Sequence, residues 1–544
     1  MRVDSIWHGG AFWTGNPEQP EADALAVWRG RIVAVGDVSG LSAPVTVDLG
    51  GARVVPGFHD AHHHLAFTGA RLASLNLRPH LVRTLDELYA AVEAFARDLP
   101  ADAIVRASGY DQNALGSHPT AAGLDRVTGG RAAILDHVSG HMLVANTAAF
   151  ALAGFPNRRG VPEFPGGRVA RDAEGVAEGL LEETAMNPLQ EATATVTPDE
   201  IRHRLALAAA QAASYGITSV TEPGVIASGS LATPGVDLFY YQQALRAGQQ
   251  LPRLTVMPLH HALHGGERFP EGWRTLDWGL HTGFGDDRLR LGPVKIISDG
   301  SLIGTSAAMH ECYCGQPDNT GVMQLSPEDL HEAVLAFHRA GWSIATHAIG
   351  DRAIDHVLDA FDAAQREDPR PTRHRIEHFA VASDAQVARA AALGIIPVPQ
   401  GVFLSDFGDG ILRALGADRA AGTYRMRSLL DAGMIVPGSS DSPVSDANPL
   451  VSMHDLVNRR TASGVPFAPE ERVTVTEALS AYTHGSAYAA GVEADRGRLM
   501  PGMLADFAVL SEDVLAVEPE RIREVRVLRT VQDGRTVFHA EAGA

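Results

Sequence analysis

Lysine is almost missing from this chain. Of its 45 basic residues one, Lys295, is a lysine and the remaining 44 are arginines. A solvated surface site accepts either cation, so a coding bias can convert such positions to arginine. A site that needs a primary amine cannot follow, because guanidinium stays protonated in proteins. Lys295 is therefore singled out as a residue kept for its amine, with a chance survivor as the alternative. Positive charge is scarce overall: 65 acidic residues give a formal charge of -20, a poor basis for gripping a nucleic-acid backbone. Cysteine is limited to Cys312 and Cys314, too few for a disulfide framework in 544 residues and in keeping with a reducing compartment. The opening residues, MRVDSIWHGGAFWTG, lack a basic stretch followed by an apolar one, so no signal peptide is read. No apolar run reaches about 18 residues, the length that a membrane span requires. The expectation is a soluble, cytoplasmic protein that binds neither nucleic acid nor membrane.

What is present is globular. Hydrophobic residues make up 45% and charged residues 20%, which excludes a disordered chain, and the length gives a prior of about three to four domains. Both ends alternate polar and apolar residues between Gly and Asp turns, as in ALAVWRGRIVAVGD and VRVLRTVQDGRTVFHA, the pattern of β-hairpins. Residues 1–53 and 490–544 are thus expected to build one composite β-sandwich domain. Between them, apolar runs alternate with Ala-rich amphipathic stretches, the pattern of a parallel α/β fold. Strands are predicted at 53–58, 217–221, 254–259, 291–297, 343–346, 374–377, 395–398 and 435–438, with helices at 198–215, 327–340, 351–366 and 383–393. Eight strands in this order predict a (β/α)8 barrel made of 54–70 and 196–489. The segment 71–195, with strand-like runs of its own at 103–108 and 131–137, is read as an insertion domain over the barrel mouth.

Chemistry concentrates in VVPGFHDAHHHL, residues 54–65. Alternate side chains of an extended strand share a face, so His62 and His64 converge while His63 points away. Two imidazoles at one strand end make half of a tetrahedral metal site, although a His-rich run can be adventitious. Three further candidates sit at predicted strand ends: His347 in SIATHAIGD, His378 in HRIEHF and Asp441 in VPGSSDSP. The carboxyl ends of barrel strands are where active sites are built, and their shared placement points to a metal centre. Lys295, in GPVKIISDGSL, lies on a strand facing the same pocket. An amine of lowered pKa can take up carbon dioxide as a carbamate and bridge two metals; pairing with Asp299 or with a substrate carboxylate is the competing role. Asp351 is read either as support for a ligand or as a helix cap. Cys312 and Cys314 are too close together for a zinc knuckle.

Taken together, PGFHDAHHHL, VKIISDGSLIGTSAAM, THAIGDRAIDHVLDAF, RIEHF, PGSSDSPVSDANPL and GRLMPGMLADFAVL resemble the amidohydrolase superfamily, in particular its family-3 branch of YtcJ-like metal-dependent hydrolases. GYDQNAL at 109–115 and HVSGHMLVANTAAF at 137–150 resemble the inserted region of that branch. The resemblance spans nearly the whole chain. It implies a barrel with a β-sandwich, hydrolysis of C–N bonds, metal roles for His62, His64, His347, His378 and Asp441, and the carbamylated-lysine position for Lys295. His59, where the branch carries an apolar residue, and His63 depart from the pattern without removing a ligand.

The expected cofactor is a divalent metal, zinc in the first place, with one or two ions per chain. Metal binding lowers the pKa of water towards about 7. Asp441 takes a proton from the resulting hydroxide and returns it to the leaving nitrogen, while the metal or a histidine such as His378 polarises the substrate carbonyl. Tyr110, Gln112 and His141 are candidate substrate contacts, and Glu182-Glu183 a reserve carboxylate pair. The partner is a small-molecule substrate, with a homodimer as the assembly considered. Two other readings stand beside this one: a deaminase of an amino-heterocycle with a single metal, and a small-molecule binding protein with a residual metal site. Asp441, which a passive site does not need, argues against the last.

Overall fold

The strand Ser5–Trp13 pairs antiparallel with Glu21–Trp28 and parallel with Val45–Asp48 and Arg53–Pro56. From there the sheet continues through Phe507–Leu510, Val527–Gln532 and Arg535–His539, so both ends of the chain share one eight-stranded sheet. Its alternating apolar positions bury Trp7, Phe12, Leu25, Val27, Val54 and Val531, with Trp7 edge-on to Phe507 at 5.0 Å between ring centroids. The computed structural model describes residues 1–79, 81–100, 102–137, 142–164, 167–193, 197–225 and 238–540.

The sequence pattern treats 53–58 as one strand, but the structure divides it. Arg53–Pro56 belongs to the terminal sheet and Phe58–Asp60 to a parallel sheet beside Ile217–Val225. Gly57 is the pivot: a Cβ there would lie 2.3 Å from Thr218 Oγ1, so only glycine lets the two strands approach this closely. The predicted 291–297 strand likewise splits, into Leu289–Leu291 and Val294–Ile297, around Gly292-Pro293, where proline offers no N–H to a ladder.

Two parallel four-stranded sheets result. One holds Phe58–Asp60, Ile217–Val225, Arg253–Pro258 and Leu289–Leu291; the other Val294–Ile297, Ile344–Ala348, Arg375–His378 and Ile396–Val398. A parallel bridge between Leu259 and Lys295 joins them. At 435–438 no strand forms, contrary to the expectation. Gly438 instead accepts from Ala61 N at 3.0 Å, and Ser439 Oγ donates to the carbonyl of Pro399 at 2.9 Å. The segment thereby closes the gap between the strands Ile396–Val398 and Phe58–Asp60 without a regular ladder. Helices Pro327–Arg339, Asp351–Glu367 and Asp384–Ala392 alternate with the second set of strands. The first starts at Ser326, whose side chain accepts from Asp329 N, with Pro327 at the first helical position; the third starts with a Ser383/Gln386 capping box.

By its internal contacts the chain divides into two units. The terminal sheet and the parallel strands belong to the first, made of Met1–Leu65, Ala208–Ala232 and Val236–Ala544. Arg253, fully buried at the start of its strand, donates to Asp506 Oδ2 at 2.6 Å and pairs with Asp533, tying that strand to the C-terminal hairpin. The second unit, Ala66–Leu207 with Thr233–Gly235, contains a six-stranded sheet in the order Gly167–Arg171, Ala177–Glu183, Met142–Ala145, Ala133–His137, Val105–Tyr110, Leu75–Asn76. Helix Leu85–Asp98, begun by a Thr84/Glu87 capping box, buries Leu88 and Val92 in the core of this unit.

Candidate metal centre

In the first unit, His62 and His64 follow the strand Phe58–Asp60 and share a side, with ring centroids 5.4 Å apart. His63 points elsewhere, its Nδ1 meeting Asp60 Oδ2 at 3.2 Å, although the chain bends at 61–62 beyond the end of the strand. Asp441 arrives from the closing segment. Its N–H donates to the carbonyl of His62 at 2.7 Å, and its Oδ1 lies 3.3 Å from His62 Nε2 and 3.1 Å from His64 Nε2. Among the described residues, these three side chains bring one ligand atom each within 4.8 Å of one another.

Asp60 holds the segment in place. Its carboxylate accepts from the backbone of Ser440 and His62 and from Ser440 Oγ. Asp441 and His378 both adopt left-handed backbone, with φ of 58° and 69°. Strain of this kind, at residues other than glycine, collects at sites that need a fixed geometry.

The other predicted ligands surround this group. The ring of His378 lies 5.1 Å from that of His62 and 4.5 Å from that of His347. His378 Nδ1 meets Gln400 Oε1 at 2.8 Å, and Gln400 Nε2 donates to Val398 O and Ser439 Oγ. The amide is thus oriented with its oxygen towards the imidazole, which leaves His378 Nε2 bare. His347 is held the opposite way, Nε2 donating to Gly300 O at 3.0 Å, so its Nδ1 is bare. His62 Nδ1 donates to Glu377, leaving Nε2 for the group with Asp441. Lys295, 4% exposed, is buried on the adjoining strand.

Electrostatics follow from burial and pairing. Burial pulls the Lys295 ammonium down to about 8 against the carboxylates of Glu377 and Asp441. Burial opposes ionisation of Asp441, but His62 and His64 hold it well below the usual carboxylate range. Glu377 is likewise disfavoured by burial and is held well below that range by Arg375 and His62. Burial and Lys295 work against the His62 cation, yet Asp441 and Glu377 together raise its pKa. His378 is pushed well down by burial and by His347.

The donor chemistry fits a divalent cation. Ligand atoms about 2.0–2.2 Å from a tetrahedral ion lie roughly 3.3–3.6 Å apart, close to the Asp441 separations of 3.1 and 3.3 Å. A carboxylate on the far nitrogen of a ligating imidazole is the usual outer partner, and Glu377 supplies it to His62.

Other expectations fare differently. Asp351 opens its helix and accepts from the backbone of His310 at 2.8 Å; His347 is supported instead by Gly300 and by Asp299 at 3.3 Å. Asp299 also accepts from the N–H groups of Ala308, Ile349 and Gly350. Tyr110 and Gln112 lie in the second unit: Tyr110 Oη bonds His118 at 3.2 Å and Gln112 Oε1 bonds His137 at 2.5 Å. His141 lies outside the described residues. Glu182 pairs with Arg168, and Cys312 and Cys314 are free thiols. Sequence reasoning missed Glu377, Arg375 and Gln400. The first two stand inside the RIEHF motif, where a charged pair on a buried strand was the available signal.

Comparison with known proteins places these observations. Residues 45–538 match the amidohydrolase family. A Bacillus subtilis (strain 168) protein named "Putative amidohydrolase YtcJ" is 28% identical over 98% of this chain and 99% of its own length. The N-substituted formamide deformylase of Arthrobacter pascens is 31% identical over 94% of both chains. A solved structure titled as an uncharacterized metal-dependent hydrolase from Pyrococcus furiosus superimposes with a TM-score of 0.76 at 28% identity, covering 94% of this chain and 99% of that one.

Proposed function

This chain belongs to the amidohydrolase family, and on that premise we propose that it is a metal-dependent hydrolase of a small-molecule carbon–nitrogen bond other than a peptide bond. Amides and N-formyl compounds are the substrate class, in line with the likeness to a formamide deformylase. The observation that carries the reading is the convergence of His62 Nε2, His64 Nε2 and Asp441 Oδ1, with His62 and Asp441 buried and His64 half-buried. We read the ring of parallel strands as a (β/α)8 barrel, the terminal sheet as its β-sandwich companion and the second unit as the insertion, with Tyr110, Gln112 and His141 as substrate contacts.

His62, His64 and Asp441 would hold one divalent ion, zinc in the first place; His347, His378 and a carbamylated Lys295 would complete a second position. When bound, the ion acts as a Lewis acid towards the substrate carbonyl and lowers the pKa of water. Asp441, ionised at neutral pH, accepts a proton from the attacking water at Oδ and delivers it to the departing nitrogen. His378, with Nδ1 engaged by Gln400, offers a lone pair at Nε2 and, while neutral, no N–H; its role is that of a ligand rather than a donor to the carbonyl. A mononuclear deaminase of amino-heterocycles is the second reading, favoured by one observation: His347 and His378 stand outside the tight three-residue group.

The test is a panel of N-formyl, N-acyl, carbamate and amino-heterocycle compounds assayed with metal-replete and chelator-treated protein. Turnover of an N-formyl or N-acyl member, abolished by chelation and restored by zinc or manganese, is expected. Undiminished turnover in a demonstrably metal-free preparation ends the reading.

A further inference from the structure

His62 is gripped from the strand Arg375–His378. Its Nδ1 donates to Glu377 Oε2. Arg375 clamps the same carboxylate in a two-point pair, Nε to Oε1 at 2.8 Å and Nη2 to Oε2 at 2.9 Å. Arg375 Nη2 also donates to the carbonyl of Ala61, the residue before His62, at 2.8 Å. Arg375 and Glu377 are two residues apart in one strand and so share a face. Both side chains have 0% exposure. One arginine therefore fixes the carboxylate that orients the ring and the backbone that carries it.

A buried ion pair is a weak device for stability, because the loss of hydration offsets most of the attraction. Its contacts suit a different task. A carboxylate accepting at Nδ1 selects the tautomer with a proton there and turns the bare Nε2 outwards, and Nε2 is the atom facing Asp441. The residue His62 answers to is 315 positions away in sequence, so the contact is made by the fold and not by a local turn.

We propose that Arg375 and Glu377 are a positioning pair for the metal centre, holding His62 so that Nε2 is presented to a divalent cation beside His64 and Asp441. The proposal rests on the reading of His62 as a metal ligand. It differs from that reading in assigning the strength of metal binding to two residues that touch no metal.

The experiment measures zinc affinity of the purified full-length chain by chelator competition, without reference to turnover. Wild type, His62→Ala, Glu377→Gln and the double variant Glu377→Gln/His62→Ala are compared. Glu377→Gln should weaken zinc binding on the order of 10- to 100-fold, the usual effect of removing an outer partner of a ligating histidine. Added to His62→Ala, it should cost nothing further, because Glu377 acts through His62; a scaffold role would make the two losses add. Should Glu377→Gln leave Arg375 unpaired and the chain unfolded, Arg375→Met/Glu377→Leu removes both buried charges and is expected to show the same loss. Wild-type affinity in either folded variant, or additive losses in the double variant, overturns the positioning role while the metal centre stands. A wild-type chain that binds no zinc, or an unaffected His62→Ala, overturns the metal reading and the positioning pair with it.

Discussion

Replacing Asp441 with asparagine removes one negative charge and disturbs little else. The residue sits at φ 58°, a region that Asn and Asp enter more readily than other residues with a Cβ. Its N–H bond to the carbonyl of His62, at 2.7 Å, does not involve the side chain. An amide oxygen can still occupy the position 3.1 Å from His64 Nε2 and serve as a neutral ligand, so Asp441→Asn is expected to retain most of its metal. What asparagine cannot do is accept a proton from water and return it to the leaving nitrogen. A general acid–base group contributes about 10²–10⁴ in rate, equivalent to roughly 2.7–5.4 kcal/mol at about 1.36 kcal/mol per tenfold. The assay is steady-state kcat on an N-formyl or N-acyl substrate, with metal content determined by mass spectrometry on the same sample. Asp441→Ala is the reference: it loses a ligand atom and gains backbone strain, so metal and activity should fall together. A variant Asp441→Asn with full metal and kcat within about threefold of wild type would refute the proton-carrying role; the ~10² lower bound for such a group sets that limit.

Lys295→Arg preserves charge but cannot form a carbamate; metal analysis should fall from two ions to one or none with loss of activity, and a fully active variant excludes a bridging lysine. His374 and His338 offer a pH test away from the site. Ile344 N–H donates to His374 Nδ1, His374 Nε2 donates to His338 Nδ1 at 3.0 Å, and His338 Nε2 donates to the carbonyl of Asp368. The chain of bonds requires both rings neutral, and burial pushes both pKa values down. The unfolded chain then binds more protons below about pH 6.5, so stability is intact above that pH and falls below it, by up to about 1.4 kcal/mol per pH unit for each ring. His374→Gln should flatten the urea-unfolding midpoint between pH 6.5 and 5; an unchanged slope argues against the neutral pair. At Gly438 an added Cβ would lie 2.3 Å from the Tyr482 ring, so Gly438→Ala should cost about 1–3 kcal/mol as overpacking, and an unchanged midpoint would refute the close approach.

Membership of the amidohydrolase family and three of the side chains that come together, His62, His64 and Asp441, were legible in the residues themselves. Period-2 alternation predicts that His62 and His64 converge while His63 points away; they do so, although the chain bends at 61–62 and is not extended there. His347, His378 and Asp441 stand out through their shared placement at predicted strand ends, and Lys295 as the single lysine. Turn residues were also informative, down to the Asp533-Gly534 hairpin. Strand limits were less so. The 53–58 run reads as one apolar strand, and nothing local shows that Gly57 must turn the chain from one sheet into another. The run 435–438 is apolar enough for a strand, yet its hydrogen bonds go to Ala61 and to the helical region at Ala481.

Only the tertiary structure decided which nitrogen of each imidazole is bare. His62 depends on Glu377, His378 on Gln400 and His347 on the carbonyl of Gly300. These partners are side chains and carbonyls of ordinary type whose role comes from being within hydrogen-bond reach after folding. Periodicity along a chain reports which face of an element is buried, because each residue's direction is set by its own backbone. It carries no record of what lies opposite that face, since the opposing group arrives from a segment as much as 315 residues away and is selected by packing.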